Sequence, residues 1–449
     1  MFDREIQTIL GLAKQQGLTD VEVYAKRDTG LSLKAQKGEL ESFQRSDSVG
    51  IGVRVLYGQR EGYAYTENLS ESSLARALRE AAANAELVEA EPGVKLPDEE
   101  PLGTNLPALY NPLLDEVPLE AKVAMALDLE KAALATDKRI RTVPYSSYSD
   151  GASMVRIANT HGVDRQYRSN AAFAFSYPIA TEGDENKVYF VVKPTRNFAE
   201  LSASEVGTAA ARGAVHRLGS QEIKSGRYRV VFAPRAMAEL LSTFSVVFSA
   251  KAAQEGKSLL NGKQGQAIAA PHVVLIDDPL LPAGFASRPF DDEGVPSRTL
   301  TLIDDGVFRS FLHNTQTAER AKTKSTGHAS RGGYKGTIDV APSNFYLRPG
   351  DLSAEAIVKA DGPVVLIDDL QGMHAGTNAI SGDFSLAAQG YLYENGEKKH
   401  PVHNFTVAGN FLTLLREVEA LGADLQFFPQ GAYVGTPSVR VKELAIAGA

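Results

Sequence analysis

The apolar residues of this chain change their period several times, and the order of those changes limits the folds open to it. Ile6, Ile9, Leu10 and Ala13 recur at helical spacing, with Gly17 following as a stop. Alternation then takes over at 21–25, 31–35, 49–56 and 62–65, which predicts strands separated by Gly or charged turns. A second helix is expected after Ser70, its cap, with Leu74, Ala77, Leu78 and Ala81 on one face. Residues 1–90 therefore read as a small α+β unit. From 91 to 117 the composition turns to Pro, Glu and Asn with little periodicity, the signature of a linker. A middle α+β unit is expected over 118–222: a helix at 119–135, strands near 139–143, 154–159, 165–177 and 188–192, and a helix at 203–217. The remainder, 223–449, reads as a larger, β-rich carboxyl-terminal domain. It opens with a strand at 228–232 and a long helix at 234–255, with Pro234 in its first turn and Gly256 beyond its end. Hairpin turns are expected at Asp305-Gly306 and Asn395-Gly396.

At 449 residues the chain is long enough for about three domains. It has no cysteine, which removes disulfides, thiolate zinc sites, iron–sulfur clusters and cysteine nucleophiles. The formal net charge of −8, without a basic cluster to offset it, disfavours nucleic acid as a partner, because that affinity rests on Lys and Arg neutralising phosphates. The amino end carries charge of both signs before an amphipathic pattern, and no stretch of about 18 apolar residues occurs, so a cytoplasmic chain without a membrane span is expected.

Several fragments resemble active sites until their spacing is checked. Gly256-Lys257-Ser258 has Lys251 where a phosphate loop needs Gly, and reads as a helix end. Gly50-Ile-Gly52 continues into Val55 where a dinucleotide fingerprint needs Gly. Asp28-Thr29-Gly30 has no second copy to share a proton with, as aspartic proteases require, and its charged flank reads as a turn. A helical zinc protease site needs His and Glu close together on one helix, yet no His here is followed by Glu. The long helix expected at 234–255 lies between His216 and His272 and carries an apolar stripe, Met237, Leu240, Leu241, Phe244 and Phe248, beside small residues Ala238, Ser242, Ser245 and Ser249. His400 and His403, the closest pair of histidines, sit beside Pro401 in a hairpin context, where an odd offset sends them to opposite faces.

Two segments remain as candidates for contact with a ligand. The acidic run Asp291-Asp292-Glu293-Gly294 is able to hold a hard cation or a basic substrate group, or simply to make a turn, and Asp292 and Glu293 are its candidate residues. The segment 372–385 is too rich in Gly and small polar residues to be core. It offers His374, Gly376, Asn378, Ser381, Gly382 and Asp383, next to a hairpin whose edge would present free N–H and C=O groups to an extended peptide. The alternative is a tight turn packed on its own sheet.

The run Gly376-Thr-Asn378-Ala-Ile-Ser381-Gly382-Asp383-Phe384-Ser385 is followed by Gly390, Glu394-Asn395-Gly396, Pro401-Val402 and Thr406-Val407-Ala408-Gly409-Asn410. This series resembles the carboxyl-terminal signature of the TldD/PmbA family. Val49-Gly50-Ile-Gly52-Val53-Arg54-Val55 with Gly62-Tyr63-Ala64-Tyr65-Thr66 is similar to its amino-terminal signature, and Asp291-Asp292-Glu293-Gly294 and Ser325-Thr326-Gly327 fall where similar stretches occur between them. The resemblance implies a cytoplasmic metalloprotease built from two related subunits, historically labelled modulators of DNA gyrase. It implies that the TldD-type subunit carries zinc on His-Glu-x-x-x-His plus a Cys, whereas this chain has Ser242, Thr243 and Val247 at the matching helical positions and no Cys. The expectation is therefore a PmbA (TldE)-type subunit with no catalytic residue, metal site or cofactor of its own. It would pair with a zinc-bearing TldD-type subunit as a heterodimer or larger assembly, form a homodimer in isolation, and act on extended peptides. Two other readings stand beside it: an autonomous hydrolase using Asp291, Asp292 and Asp383, and a non-enzymatic modulator of DNA gyrase.

Overall fold

The computed structural model describes residues 1–103 and 108–448, so the part of the expected linker at 104–107 lies outside the described residues. Helix α1 (Asp3–Gln15) buries Ile6, Ile9 and Ala13, the spacing that predicted it. Two long antiparallel strands follow, β1 (Val21–Gln36) and β2 (Glu39–Tyr57), then β3 (Arg60–Thr66) and helix α2 (Glu71–Leu87) with Ser70 at its amino end. At Gly62 a side chain would stand 2.0 Å from the Ala81 carbonyl oxygen, so only glycine lets α2 lie this close to β3.

The next elements are α3 (Pro112–Asp115), α4 (Leu119–Thr136), β4 (Ile140–Asn159), β5 (Asp164–Glu182), β6 (Glu185–Val188), β7 (Val191–Thr195) and α5 (Ala203–His216). β4 pairs with β1 from Glu22 opposite Asn159 to Ala35 opposite Ser146. One seven-stranded sheet, ordered β3-β2-β1-β4-β5-β6 with β7 also on β5, therefore runs through the first two units. Odd-numbered residues of β1 all point to one face: Val21 and Val23 meet α1 and α2, and Leu33 and Ala35 meet α4. The even-numbered Glu22 and Tyr24 point the other way, towards the carboxyl-terminal part.

β1 corrects one expectation. Asp28-Thr29-Gly30 is not a turn: it lies inside a continuous strand, Thr29 opposite both Asp47 and Ala152. Ladders on both sides hold the segment extended, and Arg27 pairs with Asp47 at 2.6 Å and Lys26 with Asp28 at 3.1 Å, so the charges that suggested a turn are matched along the sheet surface.

The carboxyl-terminal part begins with β8 (Gly226–Phe232), α6 (Pro234–Thr243) and α7 (Ala250–Gln254), then β9 (Leu275–Asp277), β10 (Leu300–Asp304), β11 (Val307–Phe308), α8 (Thr315–Arg320), β12 (Ala329–Ser330), β13 (Asp339–Val340) and β14 (Asn344–Leu347). It ends with α9 (Ala354–Ile357), β15 (Pro363–Gln371), α10 (Met373–Gly376), β16 (Asp383–Glu394), β17 (Glu397–Asn410), α11 (Phe411–Arg416), β18 (Val418–Leu421), β19 (Gln426–Gln430), β20 (Ala432–Thr436) and β21 (Val439–Ala447). Two six-stranded sheets result, β11-β10-β9-β14-β20-β19 and β17-β16-β15-β8-β21-β18. In the second, β17 also pairs with β21, which closes β17, β16, β15, β8 and β21 into a ring. Both expected hairpin turns are present, with positive φ at Asp305 and Gly306 and at Asn395 and Gly396.

The single long helix expected at 234–255 is broken. α6 ends at Thr243, a tight 3-10 turn covers Ser245–Phe248, and Ser249 caps α7 by accepting from the Ala252 N–H. The residues at the break are β-branched or aromatic, Thr243, Phe244, Val246, Val247 and Phe248, all weak helix formers, and Ser249 competes as a cap. The apolar stripe is nonetheless the core of this domain: Met237, Leu240, Leu241, Phe244 and Phe248 are fully buried, and Phe244 stacks on Phe411 with centroids 4.5 Å apart.

Glycine therefore has opposite meanings at two helix contacts. Gly11 lies on the exposed face of α1 with nothing within 4 Å of an added Cβ, so Gly11→Ala should raise stability by about 0.5–1 kcal/mol. Gly62→Ala should lower it by about 1–3 kcal/mol through overpacking against α2. Paired urea denaturation of the two variants checks both signs.

Candidate functional site

The strongest concentration of buried charge lies where the outward face of the first sheet meets the carboxyl-terminal loops. Glu22 on β1 and Arg54 on β2 share that face, and both are essentially inaccessible to solvent. Arg54 reaches Glu61 through Nε at 2.9 Å, Glu293 through Nη1 at 3.2 Å and Glu22 at 3.5 Å. From the other side, Arg331 pairs with Glu22 at 2.6 Å, and it also donates to the Tyr63 hydroxyl. Burial works against the charge of Arg54, but Glu61, Glu22 and Glu293 outweigh it and hold its pKa above the usual value.

The three acids of the run 291–294 point in three directions. Asp291 accepts from the N–H groups of Glu293, Val295 and Ala329, each at 2.9 Å, and so ties its own turn to β12. Asp292 accepts from the Tyr24 hydroxyl at 3.3 Å, from the Arg331 N–H at 2.9 Å and from Arg288 at 3.4 Å. Glu293 accepts from Arg54 and from the Thr315 N–H at 2.8 Å, at the start of α8. Gly294 closes the turn with a φ of 84°. Burial first, then the charge of Glu293, pushes Asp291 up to about 7, and burial raises Glu293 as well. Asp292 and Glu293 thus have their oxygens engaged by groups of this chain.

Sequence reasoning did not single out Glu22, Arg54 and Arg331. One signal for them was present. Gly50 and Gly52 lie two apart on the same face of β2, where a Cβ would come within 2.3 Å of the Tyr334 ring and 2.5 Å of the Tyr334 carbonyl oxygen. Paired glycines inside a strand mark the approach of a second backbone, and here that backbone belongs to the segment carrying Arg331.

The other candidate residues lie on a separate surface, and among the described residues no hydrogen bond or ion pair joins the two groups. After Gly372, at φ 82°, the chain makes the single turn α10 and then an Asx turn in which Asn378 accepts from the N–H groups of Ile380 and Ser381. Asp383 accepts from Asn410 Nδ2 at 2.9 Å, which also donates to the Ser381 carbonyl. That side-chain bond, with one from Ser381, holds the Asp383 carboxyl below its usual range. His374, Asn378, Ser381 and Asp383 are exposed, Gly382 is buried against Asn410, and at Gly376 a Cβ would stand 2.3 Å from the Ser385 carbonyl oxygen. The second backbone that approaches this loop is therefore its own. The free hairpin edge expected beside it is also taken, because β16 lies between β15 and β17 over most of its length. Asp291 and Asp292, buried at the junction, do not converge with the exposed Asp383.

The helix positions matched to a zinc site offer no ligand set. Ser242 Oγ donates to the Gln430 carbonyl at 2.7 Å, Thr243 Oγ1 donates to the Glu239 carbonyl at 2.9 Å, and Val247 is a fully buried aliphatic side chain. Two engaged hydroxyls and a valine do not fit zinc. Among the described residues no group of three or more His, Cys, Asp and Glu side chains is arranged to hold a metal ion. No described helix is long and apolar enough to cross a membrane.

Family models match three successive parts of the chain: PmbA/TldA metallopeptidase domain 1 over residues 21–85, the central domain over 112–218 and the C-terminal domain over 225–448. The metalloprotease PmbA of Escherichia coli O157:H7 is 28% identical over all of this chain and 96% of its own length. Among solved structures, a Thermotoga maritima protein named as a modulator of a DNA gyrase superposes with a TM-score of 0.91 at 31% identity, both chains being covered in full. TldE from Thermococcus kodakarensis has the same fold, with a TM-score of 0.90 at 24% identity over 98% of this chain and all of that one.

His313 lies just before α8 in the same buried region, its Nδ1 without a hydrogen-bond partner among the described residues, and burial lowers its pKa to about 4. The unfolded chain takes up a proton near 6.5 where the native state refuses it, so stability should fall as pH drops from about 6.5 to 4, by on the order of 2 kcal/mol. His313→Gln should flatten that slope relative to the unmodified protein, as read from urea midpoints at pH 7 and pH 5.

Proposed function

This chain belongs to the PmbA/TldD metallopeptidase family, and on that premise we propose that it is the metal-free, TldE-type subunit of a two-chain zinc protease of the cytoplasm. The observation that carries this reading is the donor set at the helix break. Where the resemblance implies His, Glu and His in a zinc-bearing sister subunit, this chain has Ser242 and Thr243, both already bonded to backbone carbonyls, and the buried Val247. The fold is retained while the ligands are replaced, which supports a role in shaping the site of a partner rather than in performing the reaction. Zinc, when bound to that partner, supplies the polarised water of peptide hydrolysis.

Within this reading the exposed rim of the loop 372–385 is the part of this chain that meets an extended peptide. His374, Asn378, Ser381 and Asp383 offer side-chain donors and acceptors to solvent, and Gly376 and Gly382 hold the loop flat against β16 and Asn410. Asp292 and Glu293 act at a distance, by fixing the first sheet to the domain that bears the loop.

Purified chain mixed with a homologue carrying His-Glu-x-x-x-His should form a stable complex that cleaves unfolded peptides, and this chain alone should cleave none. Two chains that never associate, or cleavage by this chain alone, contradict the proposal. His374→Ala should leave association unchanged and lower kcat/KM for peptide by about tenfold, roughly 1.4 kcal/mol, the loss of one hydrogen-bonding contact.

A further inference from the structure

The helices on the first sheet form two groups and leave a gap between them. Val21, Val23 and Ala25 of β1 pack under α1 and α2, Leu33 and Ala35 pack under α4, and Thr29, midway on the same face, is exposed. A cavity of about 380 Å³ occupies this gap, within the size range of small-molecule sites. Strand register sets its floor. Leu31 has Arg45 of β2 on one side and Asp150 of β4 on the other, Phe43 stands opposite Leu33, and Ala152 stands opposite Thr29. α3, the start of α4 and the turn between them supply the wall, with Leu114, Asp115, Leu119 and Lys122. The cavity therefore lies on the face of the sheet opposite to Glu22 and Arg54, away from the buried charge cluster.

Charge around this cavity does not cancel. Arg45, Lys122 and Arg168 line it against only two acids, Asp115 and Asp150. Both acids are already engaged. Asp150 accepts from Lys122 Nζ at 2.6 Å and from the Tyr148 hydroxyl at 2.7 Å, and Asp115 accepts from the Tyr110 hydroxyl and from Asn170. Two positions along β2 from Arg45, and on the same face, Asp47 is held by Arg27 through two bonds at 2.9 and 2.6 Å. The Arg45 side chain makes no hydrogen bond or ion pair among the described residues. Arg168 donates to the neutral Tyr110 hydroxyl at 2.7 Å and lies over that ring, 4.0 Å from its centroid. Two guanidinium groups thus line one cavity, neither of them in an ion pair among the described residues.

We infer that this cavity binds an apolar monocarboxylic acid, with Arg45 and Arg168 holding the carboxylate and Phe43, Leu114 and Leu119 covering the hydrocarbon body. Each feature selects one part of that ligand. The fork of a guanidinium matches the two oxygens of a carboxylate, which a lysine ammonium does not. Three cations against two acids leave a single positive charge, which a monoanion cancels and a phosphate dianion exceeds. Phe43 and Leu119 stand about half exposed beside the cavity, so a hydrocarbon body gains by removing their apolar surface from water. Asp150 keeps Lys122 occupied, so the two arginines and not the lysine are the groups left for the anion. A free medium-chain acid and the carboxyl end of a peptide with an apolar last residue share this chemistry. The inference goes beyond the proposed role in proteolysis and rests on no part of it.

Octanoate and its neutral isostere octanamide test the site by titration calorimetry on the full chain, beside the tripeptide acetyl-Ala-Leu-Leu as free acid and as amide. One acid should bind per chain, about twentyfold tighter than the matching amide. Arg45→Gln and Arg168→Gln should each weaken binding of the acid about fivefold and leave the amide unchanged, a split that a general disturbance of the fold would not produce. Ala152→Phe, which fills the cavity from the sheet side, should abolish binding of acid and amide alike. Tighter binding of octanoate assigns the site to a free acid, tighter binding of the tripeptide acid assigns it to a peptide terminus, and either supports the inference. It is overturned if neither acid binds saturably at millimolar concentration, if acid and amide bind equally, if the arginine variants weaken both to the same extent, or if Ala152→Phe still binds.

Discussion

The pairing of Glu22 and Arg54 with Arg331 and Glu293 is the contact on which the arrangement of the molecule depends. These four side chains come from two strands of the first sheet and two loops of the carboxyl-terminal domain, and all are buried. Buried charges of this kind add little net stability compared with an apolar contact of the same shape, yet removing one member leaves its partner stranded at a cost of about 3–5 kcal/mol. Their effect is on position. Each guanidinium bonds across the junction, Arg54 to Glu293 and Arg331 to Glu22, and glycine at 50 and 52 lets the backbone at Tyr334 come close to β2 beside those bonds. Beside this cluster, burial first and then the charge of Glu293 push Asp291 up to about 7.

Much of the architecture could be read from the chain because local chemistry and tertiary packing agree there. α2 begins after Ser70, α5 occupies the range its periodicity predicts, and both Asp-Gly and Asn-Gly turns join paired strands. The failures lie where tertiary partners override local signals. β1 runs through Asp28-Thr29-Gly30 because β2 and β4 flank it on both sides, and the pairing with β4 joins residues more than a hundred positions apart, which no local pattern announces. α6 stops at Thr243 because four β-branched or aromatic residues follow within five positions, and three of them, Phe244, Val247 and Phe248, are fully buried in the core.

The candidate site was legible in part. The glycine-rich loop stands at the surface, as its composition predicts, and its small residues permit close backbone approach. The approaching backbone, however, is its own Ser385, and the hairpin edge beside it is occupied. The acidic run misled in a different way. Its composition resembles a cation site, and only the fold reveals that Arg54 and Arg331 arrive from other parts of the chain to join the neighbouring Arg288 around it. Arginine partners brought together by topology leave no mark at the position of the acid they neutralise.

The proposed division of labour, with this chain shaping a site whose chemistry belongs to a sister subunit, is tested most directly by metal content. Mass spectrometry under native conditions, applied to the purified chain after exposure to zinc and removal of excess, should find the apo mass with less than one zinc per protomer. A protomer that keeps one tightly held transition metal, displaced only when histidines drawn from distant parts of the chain are substituted, would contradict the account.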